Sequence, residues 1–301
     1  MKISIVGLGK MGEQIARKLH EGGQTVIAHN RSSASVDEMK KLGMIAAYTK
    51  EEVISSFGSD QVILWLMIPH ETVDNELDIW LRLVPQGSII IDGGNSRWSD
   101  TKRRAEKVAH HGSVLIDIGT SGGICGYKNG FSMMIGGESS SVEIIKPVLE
   151  ILKSPEGMYA HFGGSGSGHY VKMVHNAIEY GMMESLAEGY QMLKEGPYKN
   201  LDLYKAGEVW QHHSVITSWL NELTRDIVKD NPDQNGIDGF VTESGEARWA
   251  LETAKEFGIE AKVIQKSFDI RIDSQNGVVN FATKLLASMR NAFGGHKINE
   301  K

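Results

Sequence analysis

The sequence predicts an α/β protein with a Rossmann-type, doubly wound N-terminal domain followed by an all-α C-terminal domain. Three observations lead to this prediction. Short β-rich runs alternate with amphipathic stretches over residues 1–118, a glycine-rich turn follows the first of these runs, and no convincing strand pattern appears after residue 163. Strands that alternate with helices imply a parallel sheet. A chain of 301 residues is also long enough for two domains.

The expected strands of the first domain are short runs bounded by turn residues. They cover residues 3–6, 25–29, 61–68, 88–91, 114–118 and 131–135. The helical patterns between and after them cover residues 12–20, 35–41, 50–57, 71–81, 100–110 and 140–151.

The segment Gly-Gly-Ser-Gly-Ser-Gly at residues 163–168 is the strongest loop signal in the chain and marks a break between helices and strands. We therefore predict an α/β domain over 1–163 and an all-helical domain over 164–301. The helices expected in the second domain cover residues 169–195, 202–229, 243–257 and 276–293.

Composition and charge exclude several classes of protein. Hydrophobic residues make up 41% of the chain and charged residues 23%, which is typical of a globular protein. The net charge of -6, without a long basic run, argues against a nucleic-acid partner. The single cysteine, Cys125, excludes an internal disulfide, and the apolar run 62–68 is too short to cross a membrane. We expect a cytoplasmic protein with no membrane contact.

The first strand runs into the sequence Gly-Leu-Gly-Lys-Met-Gly, which has the G-x-G-x-x-G spacing of a dinucleotide site. Gly7 would form the tight turn, Gly9 would admit the pyrophosphate, and Gly12 would let the helix pack on the strand. The alternative is a glycine-rich turn without a ligand. The strand–turn–helix context favours a nicotinamide cofactor, bound by Gly7, Leu8, Gly9, Lys10, Met11 and Gly12.

The end of the second strand bears on the choice of cofactor. NAD sites usually place an acidic residue there, whereas this chain has Asn30, Arg31 and Ser32. Arg31 can pair with the 2′-phosphate of NADP, and the two neighbouring side chains can donate hydrogen bonds. A solvent-exposed arginine in an ordinary loop is the alternative. NADP is favoured, and NAD stays open.

The first helix after the glycine segment carries four polar residues on one face. Lys172, His175, Asn176 and Glu179 follow the spacing i, i+3, i+4 and i+7, while the opposite positions are apolar. A salt-bridged surface stripe would have the same spacing. The alternative reading is chemical, because a lysine and a carboxylate in a cleft can act as a base and an acid.

The run 172–180, Lys-Met-Val-His-Asn-Ala-Ile-Glu-Tyr, resembles the signature of the decarboxylating 6-phosphogluconate dehydrogenases. Simpler β-hydroxyacid dehydrogenases share the lysine and asparagine but lack the following Glu-Tyr pair. The resemblance extends over the chain, through segments 30–31, 91–96, 121–123 and the Arg-x5-His motif at 290–296.

The resemblance implies a reaction and its catalytic groups. The enzyme would oxidise and decarboxylate 6-phosphogluconate to ribulose 5-phosphate and carbon dioxide, a step of the pentose phosphate pathway, and would reduce NADP or NAD. Lys172 would accept the proton of the 3-hydroxyl group and then stabilise the enolate, and Glu179 would protonate the enediol. The reaction needs no metal ion, and no metal-ligand spacing stands out in the sequence.

The resemblance also implies which residues bind the substrate. Asn95, which would contact the cofactor as well, would hold sugar hydroxyls together with His175 and Asn176. The backbone of Ser121, Gly122 and Gly123 would receive the carboxylate; a plain Gly-Gly turn is the alternative there. The phosphate would be bound by Tyr180, Arg271, Arg290 and His296, with Arg248 in the place of a family lysine.

Long members of the family have a larger helical domain with an internal duplication, and this chain resembles the short form. We expect a partner subunit to supply the equivalent helices, which predicts a homo-oligomer, either a dimer or a tetramer. In long members the Arg-x5-His tail reaches the neighbouring subunit's site.

The sequence is also compatible with two other functions. A dehydrogenase or reductase of a small 3-hydroxy acid, such as 3-hydroxyisobutyrate or tartronate semialdehyde, would not need Glu179 and Tyr180. A non-catalytic NADP-binding sensor would need neither Lys172 nor Glu179, and both are present.

Overall fold

The computed structural model describes residues 1–295 of the chain, so the predicted phosphate ligand His296 lies outside the described residues. The chain forms two compact units, Met1–Met173 and a second one that begins at Val174. The division falls inside one long helix, α8 (Ser167–Glu195). The sequence-based domain boundary at residue 163 stays a prediction.

The first unit is built on an eight-stranded sheet in the order β3-β2-β1-β4-β5-β6-β7-β8. Six strands lie where the sequence predicts them, while the three-residue strands β3 and β8 were not anticipated. Their bounds are β1 Lys2–Val6, β2 Thr25–His29, β3 Ile45–Ala47, β4 Ile63–Leu66, β5 Ile89–Asp92, β6 Val114–Ser121, β7 Ser132–Gly136 and β8 Tyr159–His161.

The sheet is parallel except where β7 pairs with β6, in the register Asp117↔Gly136. An antiparallel neighbour follows from the short connection, because a parallel return needs a crossover of a dozen or more residues. Only residues 122–131 separate the two strands. The chain order reverses between β1 and β4, which is where doubly wound sheets bind ligands at the carboxyl ends of their strands.

Helices pack on both faces of this sheet. Alternate residues of β4 point to opposite faces, so that Trp65 belongs to one buried apolar cluster and Leu64 to the other. The helices of the first unit are α1 Lys10–Glu21, α2 Ser33–Lys41, α3 Lys50–Phe57, α4 Val73–Trp80, α5 Trp98–His110, α6 Gly126–Asn129 and α7 Ser139–Lys153.

The second unit is helical throughout its described part, and its core includes Met183, Tyr190 and Leu286. The single helix expected over 202–229 is wrong. The chain breaks after α9, and Ser218 caps the next helix by accepting a hydrogen bond from Asn221 N at 3.1 Å. The helices after α8 are α9 Leu203–Gln211, α10 Trp219–Asp230, α11 Glu246–Glu256, α12 Lys262–Gln275 and α13 Phe281–Gly294.

Among residues 1–295, no helix combines the length and apolar character that a bilayer crossing demands.

Candidate active site

The glycine-rich turn between β1 and α1 has the shape that a pyrophosphate needs. Gly7 adopts a φ of 100°, and a Cβ atom at Gly12 would collide with the Gly7 carbonyl oxygen. Gly9 is the N-cap residue of α1, and no side chain caps this helix. A Cβ atom at Gly9 would meet nothing within 4 Å. The residues therefore fit a dinucleotide, because an open helix N-terminus attracts a phosphate group.

Asn30 connects the end of β2 to this turn. Its Oδ1 atom accepts a hydrogen bond from the Leu8 backbone N at 3.2 Å, so that the side chain supports the glycine-rich loop. Arg31 and Ser32 are exposed beside it, in the region where the ribose of a dinucleotide is expected. Met11 is partly buried and packs against the core.

A buried polar network holds the loop that carries Asn95, which itself is exposed after β5. The Ser96 hydroxyl donates to Asp92 Oδ2 at 2.8 Å. Arg104 on α5 donates from Nη1 to Ser96 Oγ at 3.2 Å and from Nη2 to Asp74 Oδ2 at 2.9 Å. The sequence analysis included Asp92 and Ser96 in the segment 91–96 but gave them no supporting role, although a charged side chain at the end of an apolar strand is a signal for Asp92.

The predicted carboxylate loop follows directly on β6, whose last residue is Ser121. Gly122 and Gly123 have φ values of 129° and 50°, in the left-handed region that favours glycine. Both positions therefore require glycine for the turn itself, which leaves the role of their N–H groups toward a carboxylate as a prediction.

Lys172 lies in the second turn of α8 and is only 7% exposed. Its side chain passes directly over Gly119 of β6, where a Cβ atom on the glycine would collide with Lys172 Cβ. The lysine is therefore fixed against the strand that leads to the loop at Ser121.

Farther along α8, the second unit gathers His175, Asn176 and Glu179. His175 Nδ1 lies 2.9 Å from Asn176 Oδ1 and 4.0 Å from Glu179 Oε2. The Asn176 amide donates to Oε1 of Glu246, a buried residue at the start of α11, at 3.0 Å. The sequence analysis did not identify Glu246, because its contact with Asn176 joins residues 70 positions apart and leaves no local pattern.

Tyr180, Arg271 and Arg290 form a buried group in the second unit. The Arg271 guanidinium stacks on the Tyr180 ring, and the Tyr180 hydroxyl accepts a hydrogen bond from Ser244 N at 3.3 Å. Arg290 Nη1 donates to the Thr242 hydroxyl at 2.5 Å. The structure thus joins three predicted phosphate ligands to the 242–246 segment, which the sequence analysis did not identify.

Burial dominates the electrostatics of this group, which we call the arginine cluster (Tyr180, Arg271 and Arg290). Arg271 and Arg290 are 1% and 5% exposed. Desolvation lowers the pKa of Arg271 to about 10 and lowers that of Arg290 as well. Two buried cations at one place favour an anion, because each is deprived of water.

Arg248 lies elsewhere on α11. It is about half exposed, and its guanidinium pairs with Glu243 Oε1 at 2.8 Å and lies over the Phe268 ring. In this position Arg248 supports the 242–246 segment, and its predicted contact with substrate stays a prediction.

No group of three or more His, Cys, Asp or Glu side chains in the described part of the chain could hold a metal ion.

Both units of the chain match known proteins of one family. Residues 2–160 match the NAD binding domain of 6-phosphogluconate dehydrogenase, and residues 168–291 match the C-terminal domain of the same enzyme. The NAD(+)-dependent, decarboxylating 6-phosphogluconate dehydrogenase of Haloferax volcanii is 33% identical over all of this chain and 99% of its own length. Longer relatives with the same activity in their names are 31–33% identical, and the chain spans 58–66% of their length.

Solved structures with a similar fold include a member of the same family. The Plasmodium falciparum 6-phosphogluconate dehydrogenase, described with NADP+ and with 6-phosphogluconate, matches 96% of this chain and 70% of its own with a TM-score of 0.82 and 26% identity. The 3-hydroxyisobutyrate dehydrogenase of Mycobacterium tuberculosis covers 96% of this chain and 99% of its own at a TM-score of 0.75, but its 18% identity shows a shared fold only. The chain belongs to the 6-phosphogluconate dehydrogenase family of nicotinamide-dependent oxidoreductases.

Proposed function

We propose that the protein catalyses the oxidative decarboxylation of 6-phosphogluconate to ribulose 5-phosphate and carbon dioxide. The observation that supports this reaction most is the arginine cluster in the second unit. Arg271 Nε and Nη1 are buried without a hydrogen-bond partner among the described residues, which is a costly state that a phosphate oxygen would relieve. A small 3-hydroxy acid has no phosphate and would leave these donors unused.

In the proposed mechanism, Lys172 and Glu179 perform opposite proton transfers from the same helix. Lys172 accepts the proton of the 3-hydroxyl group as the carbon that bears it is oxidised. A nicotinamide held at the glycine-rich turn would supply the hydride acceptor for this oxidation. Carbon dioxide then leaves, because the new ketone accepts the electrons of the broken bond, and protonated Lys172 stabilises the enolate. Lys172 passes its proton to the enolate oxygen to form the enediol. Glu179 then donates a proton to carbon 1 of the enediol while Lys172 takes the hydroxyl proton back, which gives ribulose 5-phosphate.

The other predicted residues orient the substrate. Asn95, His175 and Asn176 hold sugar hydroxyls, and the backbone of the 121–123 loop receives the carboxylate. We add Glu246 to this set as a positioning residue, since its hydrogen bond to Asn176 turns the amide oxygen of Asn176 toward His175.

For the cofactor we propose NADP in preference to NAD. The exposed Arg31 supports this choice, because no acidic residue stands beside it at positions 30–32 to repel a 2′-phosphate. Asn30 is already engaged with Leu8 N through its oxygen, so Arg31 and Ser32 carry most of the proposed discrimination.

A substrate screen tests the proposal. The purified protein would be supplied with 6-phosphogluconate and either NADP or NAD, and both nicotinamide reduction and carbon dioxide release would be followed. We expect the two products in equal amounts. Reduction without carbon dioxide, or turnover of 3-hydroxyisobutyrate or tartronate semialdehyde alone, would favour the small-acid alternative. Cofactor binding with no turnover of any substrate would favour a sensor.

We also propose a homo-oligomer. In the second unit, an apolar groove of about 580 Å³ runs along α8, past Gly181, Ser185 and Gly189. Its walls include Met182, which is 43% exposed, and Val215, which is fully exposed. Small residues at every fourth position allow a partner helix to approach closely. We assign a second copy of the chain as the occupant, in line with the expectation that a partner subunit supplies helices to this domain.

A further inference from the structure

The first turn of α8 is held by a carboxylate from the sheet. Asp117 of β6 is completely buried and accepts hydrogen bonds from the backbone N atoms of Gly166, at 2.7 Å, and His169, at 2.8 Å. It therefore satisfies two of the N–H groups that a helix leaves unpaired at its N-terminus. A negative charge at that end also complements the helix dipole.

Three glycines allow the helix to approach the sheet this closely. A Cβ atom at Gly136 would lie 2.5 Å from Asp117 Oδ1, and one at Gly168 would lie 2.5 Å from the Met134 carbonyl oxygen. At Gly119 a Cβ atom would collide with Lys172 Cβ. The backbone of α8 therefore rests on β6 and β7 without intervening side chains, so that a small displacement of the helix moves Lys172 by the same amount.

We propose that Asp117 is a positioning residue that sets the place of the Lys172 amine relative to the loop at the end of β6. Asp117, Gly119 and Ser121 alternate along one strand, and the first two fix the helix and the lysine while the third begins the predicted carboxylate loop. The inference rests on the base role proposed for Lys172. A general base works only within hydrogen-bond reach of the proton it abstracts, so its position controls the rate.

The main test is Asp117→Asn, which keeps the shape of the side chain but presents an amide donor to one of the two N–H groups. We expect kcat for 6-phosphogluconate to fall about 100-fold, as misplacement of a reacting group by about 1 Å does. The dissociation constant of NADP should not change. The kinetic isotope effect with 3-deuterated substrate should rise, because hydride transfer becomes slower. The pH profile of kcat/KM should shift, because the displaced Lys172 amine has different neighbours.

A second variant tests the same position without altering Asp117. Gly119→Ala presses a methyl group against Lys172 Cβ and so displaces the first turns of α8 while the Asp117 side chain itself is unaltered. We expect the same loss of kcat and the same rise of the isotope effect. This variant keeps the proposal testable if Asp117→Asn does not fold.

Thr101→Val is the matched control. The Thr101 hydroxyl lies 2.7 Å from His169 Nδ1, so the variant disturbs the same turn of α8 from the side of α5. We expect a lower Tm with an unchanged isotope effect and pH profile. The proposal is overturned if Thr101→Val reproduces the kinetic changes of Asp117→Asn, or if Asp117→Asn leaves kcat and the pH profile as in the unmodified enzyme.

A readout without substrate separates this proposal from the proposed function. The rate of Lys172 acetylation by acetic anhydride, followed by mass spectrometry against pH, reports the titration of the amine directly. If the unmodified protein does not turn over 6-phosphogluconate, the proposed function fails, and the labelling profile alone decides the role of Asp117. An identical profile in Asp117→Asn contradicts the positioning role, and a shifted profile supports it.

Discussion

The guanidinium carbon of Arg271 lies 3.2 Å from the centre of the Tyr180 ring, and both side chains are buried. A planar cation stacked on an aromatic face is held in one orientation, which lysine cannot reproduce. The stack therefore fixes two of the proposed phosphate ligands against each other before any substrate binds.

The first prediction concerns this stack. Arg271→Lys keeps the positive charge but loses the planar contact and the forked donors. We expect the KM for 6-phosphogluconate to rise about 10-fold to 100-fold, the value of a charged hydrogen bond, with a smaller change in the KM for NADP. Arg225→Lys, at a salt-bridged position on α10, is the control and should leave both constants unchanged. An unaltered KM in Arg271→Lys would remove Arg271 from the phosphate site.

The cofactor preference can be tested at the end of β2. Arg31→Asp replaces the proposed partner of the 2′-phosphate with a group that repels it. We expect kcat/KM with NADP to fall about 100-fold, since a charge-assisted pair is lost, while NAD is used as well as before or better. The control is Lys41→Ala, which removes another exposed cation of the same unit that already pairs with Glu38. A ratio of NADP to NAD turnover unchanged by Arg31→Asp would contradict the assignment.

Burial of Glu184 on α8 should appear in the pH dependence of stability. Desolvation raises the pKa of this carboxyl to about 7, while nearby Arg271 acts in the opposite direction. Because the folded protein binds the proton more tightly than the unfolded chain, the free energy of unfolding should fall as the pH rises from about 4.5 to about 7. Glutamine has no proton to lose, so in Glu184→Gln the free energy of unfolding should fall less over this pH range.

Urea unfolding between pH 5 and pH 8 measures the effect. Glu195→Gln, at the end of the same helix and exposed, is the matched control and should keep the pH dependence of the unmodified protein. Parallel stability curves for Glu184→Gln and the unmodified protein would show that Glu184 titrates normally.

The sequence predicted features that depend on local pattern, and it missed those that depend on distant contacts. The glycine spacing predicted the cofactor turn, and the helical spacing placed Lys172 and Glu179 on one helix. By contrast, Asp117 meets the start of α8 across about 50 residues of chain, which no periodicity reveals. The same holds for the pairing of Glu246 with Asn176.

Helix α12 was missed for a different reason. The residues that it buries are Ser267, Arg271 and Ser274, so its buried positions are polar and its apolar residues do not mark the buried face. Its buried face is polar because it contributes to the arginine cluster. A polar buried face therefore weakens the usual signal of an amphipathic helix.

The proposed oligomer can be tested on the groove along α8. Met182→Glu places a charge among apolar walls, whereas Met192→Glu alters an exposed methionine of the same helix that does not line the groove. By light scattering coupled to size exclusion, we expect the unmodified protein and Met192→Glu to exceed the 33.2 kDa of one chain. Met182→Glu should elute as a monomer with little activity. An active monomer of the unmodified protein would refute the oligomer.

The final prediction separates the two proton transfers. Glu179→Ala removes the proposed acid but leaves Lys172 and the glycine-rich turn in place, so NADP binding should persist while turnover falls about 100-fold or more. Because oxidation precedes protonation of the enediol, a single-turnover experiment should still show rapid nicotinamide reduction before slow product release. Asn176 lies three residues before Glu179 on the same helix and contacts Glu246 rather than Glu179. Asn176→Ala should therefore raise KM instead of lowering turnover. Full steady-state activity of Glu179→Ala would exclude Glu179 as the acid.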